Sequence, residues 1–245
     1  VTTTAIMQPT YLPWLGYLDL IDQVDVFVLL DRVQLDHRSW QHRNRIRTEQ
    51  GLTWLTVPVA AQDKRARLDE VAIGASEEFP ARHLNLLATA YEGQPGWDEV
   101  QDVVEPLRSP PARLVDLTIP LIRRTCAHAG ITTPLVAAST LPADGHRGGL
   151  LASLADAVGA DRYLSPPGSV AYLVEDRQEF ERRGIEVLVH RFEHPTYEQR
   201  YEPFLSHASS IDLVGVSGGD AVLPAVHGGR RPAVALDDAA AQVTR

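Results

Sequence analysis

Thr4-Ala5-Ile6-Met7-Gln8-Pro9-Thr10-Tyr11-Leu12-Pro13-Trp14-Leu15-Gly16-Tyr17 is the stretch whose reading decides the fold. Its first four residues have the apolar, β-branched make-up of a buried strand. Pro9 and Pro13 lack backbone donors and hold the exit from that strand extended, which presents Gln8 and Tyr11 with little conformational freedom. A helix is predicted over 14–22, with Leu15, Leu18, Leu20 and Ile21 as its apolar residues. A second strand, 24–30, ends at Asp31 and leads into Val33-Gln34, Trp40 and Arg43-Asn44-Arg45. Polar and aromatic groups thus follow the ends of two successive strands, and open α/β sheets bind ligands beyond the carboxyl ends of their strands.

Working outward, a long polar loop is expected after Asp31, then a strand at 54–59 closed by Pro58 and a short strand at 71–73. Helices are predicted over 82–91, 97–107 and 113–129, the last stopped by Gly130. A strand at 135–138, a helix at 148–158, a strand at 161–164, a helix at 175–183 and a strand at 185–190 complete the pattern. Strands alternating with helices at these spacings predict an α/β fold with a largely parallel, doubly wound (Rossmann-like) sheet and a helical insertion. The expected division is 1–75 as an N-terminal α/β half carrying the main motifs, 76–132 as a helical subdomain, 133–221 as a C-terminal α/β half and 222–245 as a loosely held extension.

Composition narrows the function classes. With 44% hydrophobic and 22% charged residues in 245, the chain has the make-up of a soluble globular protein. No apolar run approaches the roughly 20 residues needed to span a bilayer, and no signal-peptide layout opens the chain, so no membrane role and a cytoplasmic location are expected. A net charge of −9 argues against extended nucleic-acid binding while leaving room for a local basic pocket. Lys64 is the only lysine among 23 Lys and Arg residues and lies in a polar stretch expected as a solvated loop, which disfavours Schiff-base chemistry. No GxxxxGK[ST] sequence is present, so a P-loop is excluded. Cys126 is the single cysteine and falls on the apolar stripe of the helix at 113–129, as a buried structural thiol does. Asp36, His37 and His42 lack a recognised metal-ligand spacing. No metal and no cofactor are expected.

The candidate site residues come from four clusters. Gln8, Tyr11 and Tyr17 belong to the first strand exit. Asp31, Gln34, Trp40, Arg43, Asn44 and Arg45 follow the second: an acid at a strand end can orient an amine or act as base, arginines offer forked donors for carboxylate or phosphate, and Trp40 offers a stacking face. His190 ends the strand at 185–190 and His194, in His194-Pro195-Thr196-Tyr197-Glu198-Gln199, lies just beyond it. His194 is the candidate general base because its ordinary pKa is near working pH, with Tyr197 and Gln199 as neighbours in the site. Ser165, in Ser165-Pro166-Pro167-Gly168-Ser169, sits in a turn that is either structural or a source of amides for an anion. Asp212 reads first as serving the start of a helix capped by serine, and a partnership with His194 is left open.

These residues carry a resemblance. The run Met7 to Tyr17, with Asp31, Val33-Gln34, Trp40, Arg43-Asn44-Arg45, Trp54-Leu55-Thr56-Val57-Pro58, Tyr163-Leu164-Ser165, His194-Pro195, Tyr197, Gln199, Phe204 and Ser210-Ile211-Asp212-Leu213, resembles the WbqC-like family over about residues 5–220. The resemblance implies a bacterial biosynthetic role, in O-antigen or natural-product pathways, in attaching an acyl or aminoacyl unit to an amine such as an amino-sugar. It assigns no catalytic residues. A weaker likeness to nucleotidylyltransferase-type folds is similar in layout only, since Trp14 and Tyr17 stand where those enzymes use a histidine pair. The expected function is therefore an N-acyl or aminoacyl transferase that forms an amide, with His194 or Asp31 as base, a small-molecule amine acceptor and, where the donor is carrier-bound, an acyl-carrier protein partner. A non-catalytic module binding a sugar nucleotide or carrier, and an ATP-dependent ligase or nucleotidyltransferase-like enzyme, are the alternatives.

Overall fold

The computed structural model describes residues 1–36, 40–60, 66–76 and 78–243; Lys64 and His37 lie outside them. Along the chain run β1 (Thr3–Met7), α1 (Leu15–Asp22), β2 (Val26–Leu29), β3 (Arg43–Thr48) and β4 (Gly51–Thr56). Then follow α2 (Phe79–Tyr91), α3 (Trp97–Val103), α4 (Leu114–His128), β5 (Leu135–Ala137), α5 (Gly148–Ala157) and β6 (Arg162–Ser165). The chain closes with α6 (Val170–Glu175), α7 (Arg177–Glu181), β7 (Glu186–Phe192), α8 (Ile211–Ser217), α9 (Val222–Gly229), β8 (Arg230–Ala235) and α10 (Leu236–Val243).

Six strands form one sheet in the order β5-β2-β1-β6-β7-β8, parallel except for β8, which runs antiparallel to β7. The central strands are apolar on both faces, so successive residues enter opposite cores. Ala5, Phe27 and Leu29 join one cluster with α1–α4, α8 and α9, while Ile6, Val28 and Leu30 join a second with α5–α7 and α10. Two-sided cover is the condition under which parallel sheets occur, and each fully buried large side chain contributes about 1.5–3 kcal/mol. The sheet is doubly wound, and its order reverses between β1 and β6. That reversal is where folds of this kind open a crevice.

Several elements differ from expectation. The polar loop after Asp31 contains β3, which pairs with β4 as a separate two-stranded hairpin from Arg43↔Thr56 to Thr48↔Gly51. The strand expected at 54–59 begins earlier, at Gly51, and its end survives only as an isolated bridge from Val59 to Ile73. The helix expected over 97–107 breaks at Val104 and resumes as a short tight turn at Glu105–Leu107, because Pro106 has no amide to continue the ladder. The helix expected at 175–183 is the shorter α7, and a separate helix, α6, precedes it; the two part at Asp176, whose carboxylate accepts the amide of Gly148 at 2.9 Å. The largest correction is the C-terminal segment. Residues expected as a loose extension build α9, the edge strand β8 and α10, whose Leu236 and Ala239 are buried in the second core. No helix of the described residues is long and apolar enough to cross a membrane.

Candidate functional site

β1 and β6 end side by side, and the chain leaves them in opposite directions, into α1 and into the Pro166-Pro167-Gly168-Ser169 turn. A cavity of about 410 Å³ opens between these exits. Met7 lines it from the end of β1 and Gln8 from just beyond, Trp14 from the residue before α1, Gly16, Tyr17 and Leu20 from α1, residues 166–169 from the turn, and His190 from β7. Trp40 and Asn44 reach it from the hairpin side and His207 from the loop before α8. Most of this wall is apolar, with few polar groups aimed inward, as in small-molecule sites.

The wall has a local cause in sequence. The Trp14 indole folds back over Gly16, where a Cβ would stand 2.3 Å from the ring. Asn44 then pins the proline-stiffened loop: its Nδ2 donates to the carbonyls of Leu12 (2.6 Å) and Tyr11 (3.2 Å), and Leu12 takes φ 47°. The Tyr11 amide donates to Trp40 O at 3.0 Å, and Ser210 Oγ donates to Pro13 O at 2.7 Å. Tyr17 Oη donates to Gln8 O at 3.1 Å, holding the strand exit against the helix.

Behind the cavity wall, His190 is held by an acid in a pairing that sequence reading did not assemble. His190 Nε2 and Asp19 Oδ2 are 2.6 Å apart, with both side chains buried. Asp19 Oδ1 accepts Arg230 Nε at 2.8 Å, and Gln23 Nε2 donates to Oδ2 at 2.6 Å. Arg230 also reaches Asp22 at 2.5 Å, and Asp22 accepts His227 Nε2 at 2.9 Å. A carboxylate on Nε2 fixes the imidazole tautomer and leaves Nδ1 as the basic nitrogen. The signal was present in sequence: Asp19 stands between Leu18 and Leu20 in an apolar helix, and buried acids are paired ones.

Of the expected residues, Gln8, Tyr17, Trp40 and Asn44 meet at the cavity. Arg43 and Arg45 adjoin it, their guanidinium carbons 4.7 and 5.4 Å from the Trp54 ring that stacks on Trp40. His194 lies behind the wall, stacked on Trp14 with ring centroids 6.1 Å apart and 5.0 Å from His207. Its Nδ1 donates to Pro195 O, its Nε2 is buried without a partner, and burial, reinforced by the charge of His207, pulls its pKa down against the Pro195 carbonyl.

The others sit elsewhere. Tyr11 is fully buried and its hydroxyl meets His83 Nδ1 at 2.8 Å. Both Asp31 oxygens are taken by Ser139, at 2.8 Å from the amide and 2.6 Å from the hydroxyl. Gln34 bridges to Arg67 on the surface, and Ser165 Oγ donates to Pro166 O at 3.0 Å. Tyr197 and Gln199 turn away to Asp212, donating at 2.9 and 2.8 Å, with Tyr91 Oη as third donor at 3.0 Å. Asp212 is thus the hub of a buried network and makes no hydrogen bond to His194 among the described residues; burial raises its pKa despite the donors. Burial pushes the Cys126 thiol up to about 12, with the Asp22 charge adding, which keeps it protonated and inert.

The chain is 31% identical to the uncharacterized protein Rv1507c of Mycobacterium tuberculosis over 221 residues, which cover 89% of this chain and 94% of that one. No solved structure matches the chain significantly. Residues 8–223, which hold the strand exit, the hairpin, His190 and the loop to α8, match the WbqC-like protein family, and the chain belongs to that family.

Proposed function

We propose that this protein is an N-acyl or aminoacyl transferase that joins an activated, thioester-borne acyl group to the amine of a small molecule in the cavity at the β1–β6 crevice. The observation that carries the reading is His190, in the wall of a mostly apolar cavity and backed by Asp19 at 2.6 Å. The apolar walls suit an acyl group, and the pair supplies the one proton transfer that aminolysis needs. His190 takes the role expected of His194 or Asp31, whose carboxylate is occupied by Ser139 and whose side chain does not line the cavity.

In the proposed step the amine nitrogen attacks the thioester carbonyl carbon as its proton passes to His190 Nδ1. The tetrahedral oxyanion is met by the Gly168 amide, since Pro166 and Pro167 have none and Ser169 donates to Pro166 O. Collapse breaks the C–S bond, and the leaving thiolate takes the proton back from the imidazolium. Amide and free thiol result, with no change of oxidation state. Asp19 keeps the ring in one tautomer and stabilises the imidazolium.

The test is an intact-mass assay of thioester donors with candidate amines. Wild-type protein should add the acyl mass to the amine without ATP, and His190→Gln should slow this by about 10²–10⁴-fold while keeping the wild-type melting temperature within a few degrees. Product that requires ATP, or full turnover by His190→Gln, would refute the assignment.

A further inference from the structure

Two of the few large apolar side chains left on the surface stand together at the cavity mouth. Trp40 is 40% exposed and Trp54 is 43% exposed, and they stack with centroids 5.4 Å apart at 25°. Arg45 lies beside both rings, 5.5 Å from Trp40 and 5.4 Å from Trp54. No carboxylate pairs with Arg45 among the described residues, and its Nε is buried without a hydrogen-bond partner. In a chain of net charge −9 this is a local cation beside two partly exposed indoles. Trp40 also lines the cavity, and the neighbouring Asn44 does too, so whatever rests on the indoles enters the cavity at its other end.

We infer that the mouth of the cavity binds the nucleoside diphosphate handle of a substrate, with the base on the Trp40–Trp54 indoles and the diphosphate on Arg45. Indoles offer a sequence-tolerant stacking face to any base. A guanidinium offers paired donors to phosphate oxygens that an ammonium does not. The 410 Å³ cavity then receives the group joined to the diphosphate, and His190 lies in its wall. This inference deepens the transfer reading and rests on it for the fate of the far end. The same handle occurs on nucleotide-borne thioesters, which would be donors, and on sugar nucleotides, which would be amine acceptors.

The test titrates UDP, ADP, pyrophosphate and the two free nucleosides into the full chain, followed by calorimetry and by indole fluorescence. At least one nucleoside diphosphate should bind saturably and quench emission, more weakly as salt rises. Removing the phosphates, or replacing Arg45 by alanine, should weaken binding by about tenfold or more, and Trp40→Ala should remove most of the quench. A preference for ADP marks the handle as the donor's, and a preference for UDP marks it as the acceptor's. No binding of either nucleotide overturns the inference, as does binding that survives both Arg45→Ala and Trp40→Ala unchanged. Should Arg45→Ala fail to fold, Trp40→Ala and the salt dependence of the parent decide. Nucleotide binding without amide formation would sink the transfer reading alone; amide formation by a protein that ignores nucleotides would sink this one alone.

Discussion

His83 shows how a single side chain ties the first motif to the helices beneath it. Its ring is buried, meets Tyr11 Oη at 2.8 Å and packs edge-on to Phe79 with centroids 4.9 Å apart. Burial, assisted by the Arg82 charge, lowers its pKa from the ordinary 6.5 to about 4. Because the folded value lies below the unfolded one, the unfolded chain binds the proton first as pH falls. The stabilisation is complete above about pH 6.5 and is lost progressively down to about pH 4. Between pH 7 and 5.5 it amounts to about 1 kcal/mol. His194 and His207, also lowered first by burial, add to the slope in the same direction. Urea melts at the two pH values should therefore show the parent losing more stability on acidification than His83→Gln, by about that amount. Equal losses would mean that His83 is protonated in the fold. The sign runs opposite for Asp212, whose raised pKa makes its ionised form the unfavourable one, so its contribution falls as pH rises through the folded value.

Helix α1 carries the cavity floor, and its geometry depends on a residue with no side chain. A Cβ on Gly16 would lie 2.3 and 2.5 Å from two carbons of the Trp14 indole, which is itself stacked on His207 at 5.4 Å and edge-on to Phe192 at 5.5 Å. Alanine in a helix gains up to about 1 kcal/mol over glycine, but here the indole must leave its stack to make room. Gly16→Ala should fold, shift the tryptophan emission toward that of a solvated indole, and lose cavity binding. Gly168→Ala, whose Cβ meets nothing within 4 Å, should leave the emission unchanged.

The same scale shows what sequence can and cannot reveal. β1, β2 and β7 were legible because their residues are apolar on both faces. β3 was not, because Arg43, Arg45 and Arg47 disguise a strand whose buried residues include Asn44 and Ile46. Arg47 itself is 2% exposed and caps the carbonyls of Thr48, Tyr201 and Pro203, a use that no pattern of hydropathy records. β8 was hidden by Arg230-Arg231-Pro232, yet proline is admissible on a sheet edge. Of the site, Gln8, Tyr17, Trp40 and Asn44 were found from their place after strand ends. Asp19 and His190 were not paired, since 171 residues separate them and only the sheet order brings β7 to α1.

At the scale of the whole molecule, the segment after residue 221 closes the sheet and also completes the candidate catalytic pair. Arg230, on β8, lies beyond the span 8–223 that matches the family, and it is this residue that neutralises both Asp19 and Asp22. An acid at 0% exposure is tolerated only with such partners. Removing the guanidinium leaves Asp19 with Gln23 and His190 alone, so the carboxylate that orients the His190 ring loses one of its three partners. Arg230→Ala should cost about 1–3 kcal/mol, less than a fully buried pair because the side chain is 31% exposed. It should also lower the transfer rate, because the carboxylate that holds the His190 ring is less firmly placed. Arg230→Lys, which keeps the charge but not the fork, should recover much of the stability and part of the rate. Deleting 222–245 should do more than either variant, because it also bares the edge of β7 and removes Leu236 and Ala239 from the second core. A transfer rate of Arg230→Ala equal to the parent's, at any level of stability, would mean that the arginine braces the sheet without acting through Asp19 on His190.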